Sequence, residues 1–316
     1  MSDLATAPPT SLAERLWIYQ QERFPLARFG PMVVVFTASA AYYSRFARGA
    51  DGFIPAGRFL VGAFTALVFF AWLRILDEHK DAEVDRRYRP ELPVPRGLVT
   101  RAELRAVGAT ALGAAVLLNV WAAPELLAVM AVVAGYAALM TREFFVGEWL
   151  RAHPAAYLLS HMAIMPLIDL YSTGLDWLSE GVDAPRALVL FLLLTYLNGI
   201  VIEIGRKIRV PSEERDGVDT YTLAWGVRVA PTVWLIVLSS TAMVAAFALQ
   251  AIGASRVEIG ALVALMGLAA IPAVRFVIDP RPALSKQIEA ASGLWTIAMY
   301  LALGVGRAAA RALGIA

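Results

Sequence analysis

Long apolar runs alternate along the chain with short, densely charged connections. Nine runs approach the roughly 17 to 25 residues that a helix needs to cross a bilayer. They fall at about 30–46, 58–76, 104–122, 125–141, 154–173, 186–204, 230–252, 258–277 and 288–306. Only Ala122, Ala123 and Pro124 separate the third run from the fourth, which predicts a tight hairpin turn. Ahead of the first run, the stretch SLAERLWIYQQERFPLARFG mixes Leu12, Leu16, Trp17, Ile18 and Phe24 with Glu14, Arg15, Glu22 and Arg23. Such a pattern suits a helix lying in the membrane interface. The expected fold class is all-α: a polytopic membrane protein, a nine-helix transmembrane bundle with cap loops. Residues 1–29 form an interfacial N-terminal segment and residues 30–316 the membrane domain.

Composition agrees with that solvent. Apolar residues make up 59% of the 316 and charged residues 17%, against about 45–50% and 25% in ordinary soluble domains. Mean hydropathy is +0.62. A net charge of +2, with bases dispersed among acids, gives no footprint for nucleic acid. The absence of cysteine excludes disulfides, thiol catalysis and thiolate metal sites. The first 29 residues lack a clean apolar core with a small-residue cleavage site, so the first span is expected to direct insertion itself. Most of the 28 Lys and Arg lie in or beside the N-terminus and the even-numbered connections. The positive-inside rule then puts the N-terminus in the cytoplasm and the C-terminus outside, in a multi-pass protein of the cell membrane. Two connections on the cytoplasmic side, residues 77–101 and 203–228, are long and charged and are where chemistry is expected.

In the first of them Asp77, Asp81 and Asp85 stand at i, i+4 and i+8. On one continuous helix that spacing keeps all three on one face, drifting by about 40° per step. Clustered carboxylates repel one another unless a cation sits among them. Mg²⁺ suits the position, because it prefers oxygen and is held by one or two carboxylates plus substrate phosphates. Lys80, Arg86, Arg87 and Arg89 supply positive charge for phosphate oxygens. A solvated loop in which acids and bases simply pair would show the same spacing.

Together with RPELPVPRGLVT, residues 89–100, the three aspartates resemble the first signature of the UbiA superfamily of intramembrane prenyltransferases. That signature reads N/D-x-x-x-D-x-x-x-D followed by R-P-L-P-S-G. Asp77 stands where Asn is usual; Asp81 and Asp85 match the two aspartates; Arg89, Pro90, Leu92, Pro93 and Gly97 match the tail with a two-residue expansion. The family's second signature, D-x-x-x-D followed by Gly and Thr, is expected after span six, in NGIVIEIGRKIRVPSEERDGVDTYTLAWG. There Glu203 takes the first aspartate's place but Lys207 occupies the second, and Gly217 and Thr220 match the end after an insertion carrying Glu213, Glu214 and Asp216. A protonated lysine cannot bind Mg²⁺. Either one of the inserted acids folds back to hold a second metal, or Arg206 and Lys207 bind diphosphate oxygens in its stead. An i, i+4 ion pair between Glu203 and Lys207 is the plain alternative. Tyr136 with Arg142 at the end of span four is a weaker echo, where members place a basic residue near the diphosphate.

The resemblance implies a UbiA-like transmembrane domain over residues 30–316, with Asp77, Asp81, Asp85 and Glu203 as catalytic, metal-holding residues. Lys80, Arg87, Arg142, Arg206 and Lys207 would bind diphosphate. The implied reaction is Mg²⁺-dependent ionisation of an allylic isoprenoid diphosphate, with transfer of the prenyl group to an aromatic or lipid-phase acceptor. Cyclisation of the prenyl diphosphate, as in UbiA-type terpene cyclases, is the close alternative. A cation transporter is a remote one, since transport sites tend to lie near the bilayer midplane. Phe64, Phe69, Phe70, Trp72, Tyr157, Tyr196, Trp295 and Tyr300 are aromatic candidates for the cavity lining, each with core packing or interfacial anchoring as its plain alternative. Polar residues within spans are functional candidates because lipid disfavours them. Asn198 is therefore expected at the cavity, binding acceptor or water, and His161 as a base or a holder of an acceptor hydroxyl, with an interhelical hydrogen bond as the alternative for each, whereas Asp169 and Asp176 look structural. No metalloprotease, P-loop or serine-hydrolase motif is present.

Overall fold

Three helices begin at capping boxes spelled out in the sequence: Ser11 with Glu14, Thr100 with Glu103, and Ser255 with Glu258. The computed structural model describes residues 11–314, so the start of the expected interfacial segment and the last two residues lie outside the described chain. The described regular elements are helical. They are α1 (Leu12–Arg23), α2 (Leu26–Ala47), α3 (Ala56–Lys80), α4 (Ala82–Tyr88), α5 (Arg101–Ala122), α6 (Leu127–Thr141), α7 (Gly147–Ala152) and α8 (Pro154–Met162). There follow α9 (Ile164–Gly174), α10 (Leu188–Gly205), α11 (Tyr221–Trp225), α12 (Val229–Ala251), α13 (Arg256–Ile278), α14 (Pro282–Leu303) and α15 (Val305–Ala312), with short 3-10 turns between some of them.

Six of these stretches are long and apolar enough to cross a membrane by themselves: α3, α5, α6 with its preceding turn, α10, α12 and α13. Counting each bent pair as one span raises the number to eight: α1 with α2, bent by 61°, and α14 with α15, bent by 44°. The expected fifth span, about 154–173, is broken. Pro166 has no N–H and its ring opposes the carbonyl of Met162, so α8 stops there and α9 starts afresh after Ala163. The bend between α1 and α2 falls at Pro25 for the same reason, and it lets α1 turn away from the bundle. At the second bend a side chain on Gly304 would meet the Cα of Ser39 at 2.2 Å, so the chain must be bare where it crosses α2.

Buried apolar residues form two large clusters. One joins α2, α10, α12, α13 and α14 around Phe191, Trp234, Trp295 and Tyr300; the other joins α3, α5, α6 and α9 around Phe69, Leu126 and Tyr171. Helix α2 contributes to both, Tyr43 to the first and Ala41 to the second. Several buried polar residues satisfy one another. Asn119 donates to Thr65 at 2.8 Å and accepts from Tyr171 at 2.8 Å, tying α5 to α3 and α9. Asn119→Ala orphans both partners, and is expected to cost about 1–2 kcal/mol, read as a lowered unfolding midpoint in detergent. Asp169 accepts from Tyr300 at 2.6 Å, and Asp176 is clamped by Arg45, Arg48 and Ser44 at 2.7–2.9 Å. Both aspartates are thus structural, as expected.

At the other end of the bundle, α1 is fastened across the first charged connection. Buried Glu78 of α3 accepts from Arg23 at 2.7 Å and from Arg74 at 3.0 Å. Arg96 reaches Glu22 at 2.7 Å, and Arg15 reaches Glu103 at 2.6 Å. The charged loop after α3 is therefore braced rather than free.

Candidate active site

The three aspartates do not lie on one continuous helix. Asp81 leaves helical geometry (φ −90°, ψ 6°), ending α3 and opening α4. The hydrogen-bond ladder nevertheless runs through the break: Asp81 N–H donates to the Asp77 carbonyl at 2.9 Å, Asp85 to Asp81 at 2.8 Å, and Arg89 to Asp85 at 2.8 Å. All three carboxylates keep spare acceptor capacity. The Asp77 side chain is 51% exposed and only loosely paired with Arg74 at 3.8 Å. The Asp81 carboxylate makes no hydrogen bond or ion pair among the described residues. Asp85 is buried; its Oδ1 lacks a hydrogen-bond partner and faces the Arg89 guanidinium at 3.3 Å. Burial, with the neighbouring Asp81 charge, raises the Asp85 carboxyl above its ordinary pKa against the opposing pull of Arg89.

Among the described residues no three His, Cys, Asp or Glu side chains converge closely enough to cage a metal. The donor set still fits Mg²⁺, which keeps waters and phosphate oxygens and needs only one or two carboxylates from the protein. Asp77, Asp81 and Asp85 could supply such carboxylates, all hard oxygens with free lone pairs. Glu203 differs from them. Buried at the end of α10, it takes Arg206 on Oε2 at 2.6 Å and Lys207 on Oε1 at 3.1 Å. In this structure Glu203 fixes two cations, the ion-pair alternative read from the sequence, and has little left for a metal. Both cation heads stay accessible, Arg206 51% and Lys207 28% exposed, with Lys207 5.7 Å from the Tyr221 ring centre. Arg206 and Asp77, at the ends of α10 and α3, lie within electrostatic range of each other.

Of the three inserted acids, Glu214 is engaged within its own loop. Glu214 accepts from the Thr220 hydroxyl at 2.7 Å and the Thr222 hydroxyl at 2.8 Å, closing the loop onto α11. Gly217 (φ +71°) lies against Tyr88 of α4, and a Cβ there would meet the ring at 2.2 Å. The second charged loop is therefore seated on the first. Gly217→Ala should lift it off and lower kcat/KM on the order of 10²-fold, the usual penalty of an ångström-scale misplacement. Tyr88→Gly in the same chain should recover part of that loss in a steady-state assay.

Helix α8 closes the third side. Lys80 donates to the Tyr157 hydroxyl at 2.5 Å, and the Tyr157 ring stacks on His161 at 3.8 Å. His161 lines a small cavity of about 10 Å³ with Asp77, Lys80, Leu73, Leu76, Met140 and Thr141. Phe144 packs edge-on against His161 and Tyr136. It sits mid-way in Glu143, Phe144 and Phe145, which all have positive φ (47°, 53° and 63°). Three successive left-handed non-glycine residues are costly, about 1–3 kcal/mol each, and such strain clusters at working sites. Sequence gave no warning of this turn.

Other expected residues are placed less centrally. Arg142 caps α6 beside the strained turn and is exposed; Arg87 is exposed and lies over the Tyr88 ring. Tyr136 donates to the Ser160 carbonyl at 2.6 Å and Tyr196 to the Leu159 carbonyl at 3.1 Å, so both hydroxyls hold α8 in place. Asn198 is buried with an unpartnered Oδ1. Of the aromatic candidates, Phe69, Trp295 and Tyr300 are fully buried packing residues and Phe64 lies on the exposed side of α3.

Fold and site define a polytopic helical membrane protein with paired charged loops capping one end of the bundle. Solved structures share that fold. A digeranylgeranylglyceryl phosphate synthase superposes with a TM-score of 0.61 over 92% of this chain and 97% of that one, at 12% identity. A UbiA homologue from Aeropyrum pernix K1 gives 0.59 over 84% and 96%, at 15% identity. A UbiA homologue from Archaeoglobus fulgidus, bound to DMAPP and Mg²⁺, gives 0.52 over 87% and 96%, at 14% identity. No family model and no curated protein matches the sequence. The likeness is one of fold, and the chain has the UbiA fold.

Proposed function

We propose that this chain is a UbiA-superfamily prenyltransferase that ionises an allylic isoprenoid diphosphate and passes the prenyl group to an aromatic or lipid-phase acceptor. The observation that carries this reading is the meeting of two charge sets at one end of the bundle. Asp77, Asp81 and Asp85 offer free carboxylate oxygens, and Lys80, Arg206 and Lys207 present cations beside them. A bound Mg²⁺ would neutralise charge on the leaving diphosphate. Lys80, Arg206 and Lys207 add fixed positive charge to the same oxygens, preorganised by Tyr157 and Glu203 rather than recruited during the reaction. Arg87 and Arg142 stand at the rim as further diphosphate contacts.

The apolar side chains below the charged rim, Leu73, Leu76, Ala137 and Met140, suit a carbocation's need for a dry site. The cavity among them holds about 10 Å³, so an isoprenoid tail enters only when α6 or α8 draws away from α3. The strained turn at residues 143–145 is the hinge that such a motion would use. With the site at the basic end of the chain, the diphosphate arrives from the cytoplasm.

The test is to incubate purified protein in detergent with Mg²⁺ and each of geranyl, farnesyl and geranylgeranyl diphosphate, first without and then with aromatic or lipid acceptors. Prenylated acceptor together with released pyrophosphate supports transfer. A cyclic terpene without acceptor replaces it with cyclisation, and silence throughout returns the site to cation binding or transport.

A further inference from the structure

One ring nitrogen of the site is assigned by its neighbours. Nδ1 of His161 lies 2.9 Å from the Tyr157 carbonyl oxygen, which can only accept. Its other neighbour, the Ser160 hydroxyl at 3.3 Å, already donates to that same carbonyl at 3.0 Å. Nδ1 therefore carries the hydrogen, and Nε2 carries a bare lone pair. His161 is 95% buried by its 5% exposure, Nε2 has no hydrogen-bond partner, and the ring forms the wall of the cavity that Asp77 and Lys80 also line. The ring cannot turn to relieve this, because Tyr157 stacks on one face at 3.8 Å and Phe144 meets it edge-on at 5.8 Å. No protein group meets this acceptor, and leaving one unmet costs about 1–3 kcal/mol, so a donor is expected in the cavity that the ring walls.

We infer that His161 Nε2 is the proton acceptor of the reaction, and that the acceptor substrate bears an O–H that hydrogen-bonds to it. This rests on the prenyl-transfer reading. In the step, the C1–O bond of the allylic diphosphate breaks and its electron pair leaves with the diphosphate. The acceptor oxygen forms the new bond to C1, and its proton passes to Nε2. The oxonium formed by that capture is a strong acid, so even a weakly basic imidazole removes the proton. Because His161 shares a cavity wall with Lys80 and Asp77, it belongs with the diphosphate end of the proposed substrate, where C1 would lie, rather than with the far tail.

The test pairs two readouts. In ¹⁵N NMR of the wild type in detergent, with His79→Gln and His153→Gln variants to assign the three histidines, His161 should show the Nδ1–H tautomer. An Nε2–H signal overturns the inference whatever the activity. In His161→Phe, which keeps the stack on Tyr157, prenylated product should fall 10²–10⁴-fold, the usual range for losing a positioned base. Affinity for a non-ionisable thiodiphosphate analogue should stay within twofold, which also reports that the variant folds. His161→Gln, whose amide oxygen accepts a hydrogen bond but no proton, should recover acceptor KM but not kcat. Product formation by His161→Phe within tenfold of wild type overturns the inference alone. A wild type silent toward every allylic diphosphate overturns the prenyl-transfer reading, and the role of His161 with it.

Discussion

Asp81→Asn and Asp85→Asn should each lower turnover on the order of 10²–10³-fold, the scale on which losing one preorganised electrostatic contact to a developing charge is felt, while leaving the protein folded. The amide keeps each side chain's shape and removes the charge a hard cation needs. For Asp85 the substitution tests a specific tension: a buried carboxylate whose Oδ1 is unpartnered and whose nearest cation, Arg89, stands 3.3 Å away. Without a further cation, burial and Asp81 hold its pKa up. Magnesium bound there would pull it down, so protons and Mg²⁺ compete. Apparent Mg²⁺ affinity in the wild type should strengthen as pH rises through the carboxylate range, and the Asp85→Asn variant should lose most of that dependence. Turnover near wild type in either variant would remove the metal site from the proposal.

Much of this end of the molecule was legible in the sequence because it depends on local rules. Apolar length marks the long helices, and Ser-x-x-Glu and Thr-x-x-Glu stand at three of the helix starts. What escaped was set by tertiary contact. Nothing local says that Asp81 closes one helix and opens another, although the i to i+4 ladder that joins the three aspartates survives the break. Pro166 was readable as a breaker, yet the apolar run around it reads as one span. Tyr157 was readable only as an aromatic lining candidate, because its pairing with Lys80 joins residues 77 positions apart. The left-handed turn at residues 143–145 carries no glycine to announce it. Glu214 was one of three acids open to a metal role, and only the folded loop shows it accepting from Thr220 and Thr222.

The second large effect is expected at Lys207, where the chain departs from the pattern it otherwise resembles. If a metal once sat at the end of α10, restoring an acid should restore it; if the lysine does the metal's work, restoring an acid should harm. The geometry favours harm. Lys207 is 3.1 Å from Glu203, which is buried and also engaged by Arg206. Lys207→Asp would set a second carboxylate one helical turn from Glu203 and take away half of its compensation. Removing one partner of a buried pair leaves an uncompensated charge, a far larger penalty than an exposed pair carries. It would also strip one of the three cations proposed for the diphosphate oxygens, leaving Arg206 and Lys80. Turnover should fall on the order of 10²-fold, with the loss divided between a raised KM for the diphosphate and a lowered kcat. Lys207→Met, which removes the charge without reversing it, should show the KM change with a smaller change in kcat. A gain of activity in Lys207→Asp, with steeper dependence on Mg²⁺ concentration, would mean that α10 is a vacated metal site and that Lys207 is no ligand at all.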